Sequence, residues 1–168
     1  MIDHDSTSFG IDGDRLTHSR EVGRLAAQLA GQVFSWDEAR SRQMFLLGLV
    51  HDCGYEFAEN PLDHPVVGGE LLKEAGFSLW REVRWHGVAH ATYYSDELLL
   101  LNIADMLVSR DGTRVTLAQR LDDIEQRYGF DSEQLMQAKR LVREIDGFLK
   151  SRKIDLGAFR EFWNAQGL

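Results

Sequence analysis

Cysteine and proline are both scarce in the chain. The only cysteine, Cys53, excludes an intramolecular disulfide framework, and the two prolines, Pro61 and Pro65, interrupt no long periodic segment. The acidic first residues lack the basic region and the apolar run of a signal peptide. The longest apolar runs are far shorter than the roughly 20 residues that a membrane-spanning helix needs. We therefore expect a soluble, cytoplasmic protein with no membrane contact.

The chain also has fewer basic than acidic residues. The chain has 19 lysines and arginines against 27 aspartates and glutamates, which gives a net charge of −8. This balance disfavours an extended grip on a nucleic-acid polymer, although a metal and a few local arginines would still allow a small anion to bind. At 168 residues the chain has the size of one domain, and we expect a single domain over residues 1–168. The oligomeric state stays open, a homodimer included.

Apolar residues recur at helical spacing through most of the chain, and strand patterns of period two are absent, so we predict an all-α bundle. A capping box at Ser35 predicts the start of the second helix, which ends at the pair His51-Asp52 before Gly54. The helices after residue 112 contain no histidine and are interpreted as scaffold. The predicted helices cover approximately residues 14–33, 35–52, 63–76, 78–86, 96–108, 116–128, 132–150 and 155–166.

Four polar groups occur on otherwise apolar helix faces: His18, the pair His51-Asp52, and Asp105. A buried carboxylate must be paired, protonated or bound to a metal. Imidazole and carboxylate without thiolate favour iron, manganese, zinc, cobalt or magnesium in an open catalytic site. Taken singly, each residue also has an ordinary explanation, such as a helix end for Asp52 or an ion pair with an arginine for Asp105.

The order His18, His51-Asp52, Asp105 resembles the motif of the HD-domain superfamily of metal-dependent phosphohydrolases. The resemblance covers about residues 14–112, and it implies a helical bundle that holds a divalent metal. It also implies hydrolysis of a phosphoester or phosphoanhydride bond in a small nucleotide-like substrate by a metal-activated water.

Two further histidines are similar to those of the dinuclear branch of this superfamily, which includes bacterial hydrolases of diadenosine tetraphosphate. They are His64, in the segment Asp63-His64-Pro65, and His86, in Arg84-Trp85-His86. The alternative for His64 is a capping role at the start of a helix. The resemblance implies two ions, with iron the first candidate and nickel also in the range. The implied ligand set is Asp52 as the bridge, His18, His51 and Asp105 at one ion, and His64 and His86 at the other.

His90 and Tyr55 leave alternatives open. His90 could replace His86 as a ligand, act as a catalytic residue on the leaving group beside Asp52, or be an ordinary exposed histidine. Tyr55 stands where many hydrolytic relatives carry a lysine that meets a phosphate. The missing charge could come from Arg20 or Arg110.

Two other functions are also under consideration, and the missing lysine favours the first of them. One is a mixed-valent di-iron oxygenase, which a small branch of the superfamily builds from the same six ligands. The other is a non-catalytic sensor that binds a nucleotide without turnover.

Overall fold

The computed structural model describes residues 13–165, and helices dominate this range. No strand forms among these residues, and an isolated β-bridge joins Val108 to Arg114. The predicted all-α fold is therefore confirmed. The α-helices of the described range are α1 Gly13–Gln32, α2 Glu38–Val50, α3 His64–Glu74, α4 Trp80–Trp85, α5 Asp96–Met106, α6 Leu117–Tyr128 and α7 Glu133–Ser151.

Side-chain caps determine where several helices begin. The Asp37 carboxylate accepts a hydrogen bond from the Arg40 backbone N–H at 2.8 Å and starts α2. The capping box predicted at Ser35 is wrong, because Ser35 adopts a left-handed conformation with φ of 53° and lies outside the helix. A reciprocal capping box does occur at α6, between Thr116 and Gln119.

α1 and α2 cross so closely that both need glycine at the crossing. A Cβ atom on Gly48 would lie 2.5 Å from the Gly23 Cα, and one on Gly23 would lie 2.5 Å from the Phe45 carbonyl oxygen. Since real Cβ atoms do not approach so closely, a larger residue at either position would push the helices apart. This crossing brings the His18 face of α1 beside the end of α2, where His51 lies.

α5 runs through the centre of the core. Every residue from 98 to 104 on this helix is buried, so its whole circumference is covered by neighbouring helices, and not only the predicted stripe. Asp105 follows this segment at the end of α5 and is partly exposed. The end of α5 therefore places the Asp105 carboxylate beside the histidines of α1 and α2.

The turn after α2 packs directly on α3. Gly54, which the sequence predicts as the residue that ends α2, has a different structural role, since α2 ends at Val50. A Cβ on Gly54 would overlap the His64 carbonyl oxygen and lie 2.5 Å from the Gly68 backbone nitrogen. Glycine is therefore required for the close approach that sets His64 beside the turn. Asp63 precedes α3, but its side chain makes no capping hydrogen bond.

The last part of the described chain is less helical than the sequence predicts. The helix predicted at 155–166 appears as a short 3₁₀ segment, Gly157–Glu161, and position 166 lies outside the described residues. Lys153 and Gly157 have φ angles of 55° and 56°, and a left-handed residue interrupts a right-handed helix. Among the described helices, none combines the length and apolar character needed to cross a membrane.

Candidate metal centre

The His-Asp pair lies where α2 ends, as the sequence predicts. His51 is the C-terminal cap of the helix, and Asp52 follows in the turn. His51 is fully buried, and Asp52 is 6% exposed. Because the chain leaves the helical path here, both side chains reach one cluster, in which the His51 Nε2 lies 3.3 Å from the Asp52 Oδ1.

Asp52 occupies the centre of this cluster. Its Oδ1 atom is 3.3 Å from the Nε2 atom of His64 and 3.5 Å from that of His86. Its Oδ2 atom faces the other way and is 4.0 Å from the His18 Nε2. The two oxygens of one carboxylate therefore face different groups of imidazoles.

Asp105 forms the other acidic side of the cluster. Its Oδ1 atom lies 3.1 Å from the Nε2 of His18 and 3.7 Å from the Nε2 of His51. His64 and His86 approach each other on the opposite side, with 3.1 Å between their Nε2 atoms. The structure thus brings together all six residues that the sequence singles out as candidate ligands.

The Nδ1 atom of every histidine in the cluster is hydrogen-bonded to a backbone carbonyl. Because a carbonyl oxygen only accepts, each Nδ1 must carry the proton, and in a neutral ring Nε2 then presents a lone pair. Four lone pairs consequently converge on two carboxylates. The donor–acceptor pairs are His18 to Ser109 at 2.9 Å, His51 to Gly48 at 2.7 Å, His64 to Pro61 at 2.7 Å, and His86 to Val83 at 2.6 Å.

In the protein without metal, the pKa values of the cluster show that it favours a bound positive charge. Burial alone would lower the pKa of His51, but the carboxylates of Asp52 and Asp105 raise it from 6.5 to about 9. Burial opposes ionisation of Asp52, yet the neighbouring imidazoles, His51 foremost, hold its pKa well below the usual range. Burial lowers the pKa of His86. A proton therefore occupies the cluster when no other cation does.

The donor set fits divalent metal ions. The Nε2 atom of His51 is buried without a hydrogen-bond partner, which is costly unless a cation binds it. Backbone carbonyls that hold the Nδ1–H groups are the usual means of orienting metal-binding imidazoles. Two overlapping groups have ligand atoms close enough to share an ion: His18, His51 and Asp105, and His51, Asp52 and His86.

A pocket of about 200 Å³ opens beside the cluster. Tyr55 lies in its wall between two other side chains: the Arg15 guanidinium is 3.5 Å from the centre of the tyrosine ring, and the His64 ring stacks on it at 3.7 Å. Two groups at these distances cannot share one face of the ring, so Arg15, Tyr55 and His64 form three successive layers. Arg15 also reaches Asp52, with 3.4 Å between Nη1 and Oδ2.

Arg110, which the sequence singles out, lines this pocket, whereas Arg20 and His90 do not. Arg20 is exposed because it is two residues from His18, or about 200° around α1. His90 is 76% exposed and pairs with Glu144, with 2.8 Å between Nδ1 and Oε1. This placement fits the ordinary exposed histidine among the three alternatives, and not the ligand or catalytic role, because His90 lies beyond the end of α4 at Trp85 and outside the pocket lining.

Several residues that line the pocket were not predicted from the sequence. Arg15 had a usable signal, since it lies three residues before His18 and so shares its helix face. Arg120, Arg127 and Tyr128 come from α6, which was interpreted as scaffold. No local pattern links α6 to the histidines, because only the packing of the chain brings them together.

Comparison with known proteins gives one match to a protein family and one to a curated protein. The family model for the HD domain matches residues 15–148, which extends beyond the 14–112 region of the resemblance. The 3'3'-cGAMP-specific phosphodiesterase 1 of Vibrio cholerae serotype O1 is 30% identical over 143 residues. This match covers 74% of the chain but only 30% of the phosphodiesterase. No solved structure matches the chain significantly.

The family match, the helical fold and the cluster of histidines and aspartates all indicate the same protein family. The matched region contains α2, α3, α4, α5 and α6 in full and reaches into α7. It therefore includes every histidine and aspartate of the cluster. The chain belongs to the HD domain family, the superfamily of metal-dependent phosphohydrolases that its His and Asp motif predicts.

Proposed function

We propose that the chain hydrolyses a phosphoester or phosphoanhydride bond in a small nucleotide-like substrate and that it requires divalent metal. The observation that carries this proposal is that four imidazoles surround Asp52 at one side of a pocket lined by four arginines. Groups that can bind metal and groups that can bind an anion therefore share one cavity. Phosphoryl transfer depends on both, since it needs an activated water and neutralised phosphoryl oxygens.

We propose two metal ions, with iron the first candidate and manganese, cobalt, zinc, magnesium or nickel the alternatives. Asp52 is suited to bridge them because its Oδ1 and Oδ2 atoms face different imidazoles. When bound, such ions would polarise a phosphoryl oxygen and lower the pKa of a coordinated water towards about 7. The proposed ligands are His18, His51 and Asp105 at one ion and His64 and His86 at the other.

Arg15 is the proposed substitute for the lysine that Tyr55 replaces. The tyrosine ring supports the guanidinium from below, and the Asp52 carboxylate lies 3.4 Å from it, so Arg15 is held at the edge of the ligand cluster. A guanidinium can offer two parallel N–H donors to a phosphoryl group. Arg110 is exposed and lines the same pocket, so it can contact the substrate from the entrance.

A nucleotide-like substrate is supported by two observations. The Vibrio relative is named for its action on 3'3'-cGAMP, which places a nucleotide among the substrates of similar proteins. The pocket, at about 200 Å³, is smaller than the roughly 300 Å³ at which pockets for whole ligands begin. It therefore suits the phosphoryl part of a substrate, while the remainder of the substrate extends outwards.

The test is metal analysis of protein purified without added metal, followed by hydrolysis assays under anaerobic conditions. We expect bound divalent metal, and hydrolysis of p-nitrophenyl phosphate or bis(p-nitrophenyl) phosphate that EDTA abolishes and Mn²⁺, Fe²⁺ or Co²⁺ restores. Arg20→Ala is a matched control, because this exposed arginine of α1 does not line the pocket and should leave the rates unchanged. The absence of hydrolysis across metals, phosphomonoesters, diesters and nucleotides would overturn the proposal.

The same assay separates hydrolysis from the oxygenase function. The oxygenase function was favoured by the missing lysine, but Arg15 supplies a positive charge beside Tyr55. Hydrolysis that proceeds without oxygen is what we expect. An iron content near two per chain with oxygen consumption, and no hydrolysis, would support the oxygenase instead.

A further inference from the structure

α6 contributes a second cationic surface to the pocket. Arg120 and Arg127 are seven residues apart and thus lie on one face of the helix, two turns from each other. Both line the pocket, as does Tyr128. We call these three residues the α6 subsite. None of them is part of the proposed metal-ligand set, and none belongs to the buried apolar face of α6, which consists of Leu117, Leu121 and Ile124.

Arg120 is a largely buried cation whose hydrogen bonds are incomplete. Its side chain is 13% exposed, and its Nε atom is buried without a partner. The nearest carboxylate oxygens belong to Asp123, 3.6 Å from Nη1, and to Asp105, 3.8 Å from Nη2. These distances allow electrostatic attraction but are too long for hydrogen bonds. A buried N–H without an acceptor is unusual in a folded protein, and an anionic ligand that accepts hydrogen bonds from Arg120 would explain it.

Arg127 and Tyr128 lie further out, at the rim. The Arg127 Nη2 donates a hydrogen bond to the Asp123 carboxylate at 2.6 Å, and the same carboxylate attracts Arg120 from 3.6 Å. Tyr128 is 51% exposed, although it is a large aromatic side chain. A held guanidinium next to an exposed ring matches a phosphoryl group that is followed by a base.

The charge of the pocket contrasts with that of the chain. Its lining has four arginines against two aspartates, while the whole chain carries a net charge of −8. Both aspartates belong to the proposed metal-ligand set, so bound metal would offset their negative charge in the pocket. Such a concentration of guanidinium groups exceeds what a single phosphoryl group requires.

We propose that the α6 subsite binds a second phosphoryl group, the one that is not cleaved, and that Tyr128 stacks on a base beyond it. The reacting phosphoryl group then lies beside Asp52 and Arg15. The substrate class is therefore a nucleotide with at least two phosphoryl groups, and not a simple phosphomonoester. This inference rests on the proposed function, because it assigns the remaining part of the substrate of that same site.

The test compares two inhibitors that differ by one phosphoryl group, AMP and ADP. Inhibition constants are measured against Mn²⁺-dependent hydrolysis of p-nitrophenyl phosphate, and direct binding is measured by calorimetry with EDTA present. In the unaltered protein, ADP should bind about tenfold or more tightly than AMP, which is the gain that a charge-assisted contact gives. Arg120→Ala and Arg127→Ala should each weaken inhibition by ADP about tenfold, while the Michaelis constant for p-nitrophenyl phosphate, which occupies only the reacting position, stays within about threefold.

Arg143→Ala is the matched control, since Arg143 is an exposed arginine on α7 that does not line the pocket. It should retain the preference for ADP. Because Arg120 is largely buried, Arg120→Lys is measured as well: it keeps the charge but loses the forked donors, and should retain part of the affinity for ADP. Equal binding of AMP and ADP, or ADP binding that is unchanged in Arg127→Ala and Arg120→Ala, would overturn the inference. Failure of the proposed function appears separately, as absent hydrolysis, and leaves the binding measurement intact.

Discussion

Replacing Tyr55 by the lysine of many hydrolytic relatives tests the layered arrangement of Arg15, Tyr55 and His64. If the pocket only lacked a charge at this position, Tyr55→Lys would lower the Michaelis constant for phosphorylated substrates. The structure predicts a different result, because Arg15 already brings a charge there and the tyrosine ring supports it from 3.5 Å. Lysine removes that support and introduces a second cation beside the first.

The expected size of the effect follows from the two contacts of the ring. Loss of the cation–π contact with Arg15 costs about 0.5 to 2 kcal/mol, and loss of the stacked His64 ring costs about 0.5 to 1.5 kcal/mol. Attraction between the new ammonium and Asp52 offsets part of this. A net loss of roughly 1 to 3 kcal/mol corresponds to a decrease of about 2 to 12 °C in the melting temperature of a domain of this size.

The assay is a double-mutant cycle with thermal denaturation and kcat/KM as the measurements. Arg15→Ala should lower kcat/KM about tenfold or more, through the loss of a charge-assisted contact. Tyr55→Lys should give no gain in the unaltered background but should recover part of the activity in the Arg15→Ala background, where lysine no longer competes. Tyr55→Phe, which keeps the ring, should change stability by less than about 0.5 kcal/mol. A stable Tyr55→Lys protein with a salt-sensitive fall in KM would refute this reasoning.

Three further predictions concern the metal ligands. Asp52→Asn should abolish hydrolysis and lower the metal content, since Asp52 contacts the imidazoles of both proposed sites; an active, fully metallated variant would contradict the assignment. His64→Ala and His86→Ala should each reduce the metal content from about two ions to about one, with His90→Ala, 76% exposed, as the unaffected control. A change in the His90 variant alone would reverse our choice of ligand. The apparent affinity for Mn²⁺ should rise about tenfold per pH unit from pH 7 towards 9, because His51, with a pKa of about 9, must lose its proton before it binds metal; calorimetry that shows no dependence on pH would exclude this.

Much of the fold and the six candidate ligands could be predicted from the sequence, because the relevant signals are local. Apolar residues at helical spacing indicate helices whatever their partners, and histidine or aspartate on such a face is anomalous by itself. The predictions that failed assumed that a local pattern continues. The helix predicted at 155–166 is an example, because Lys153 and Gly157 adopt left-handed conformations and only the 3₁₀ segment Gly157–Glu161 forms.

The sequence by itself determined the helical class, the family motif and which imidazoles and carboxylates are available to bind a metal. Only the tertiary structure decided which cations share the pocket with them. Arg15 reaches it because α1 and α2 cross at two glycines, and Arg120 reaches it because α6 folds back beside Asp105. Such neighbours are far apart in the chain, so no spacing rule encodes them. Their proximity depends on helix packing, which is set by burial over the whole core and not by the residues of the site.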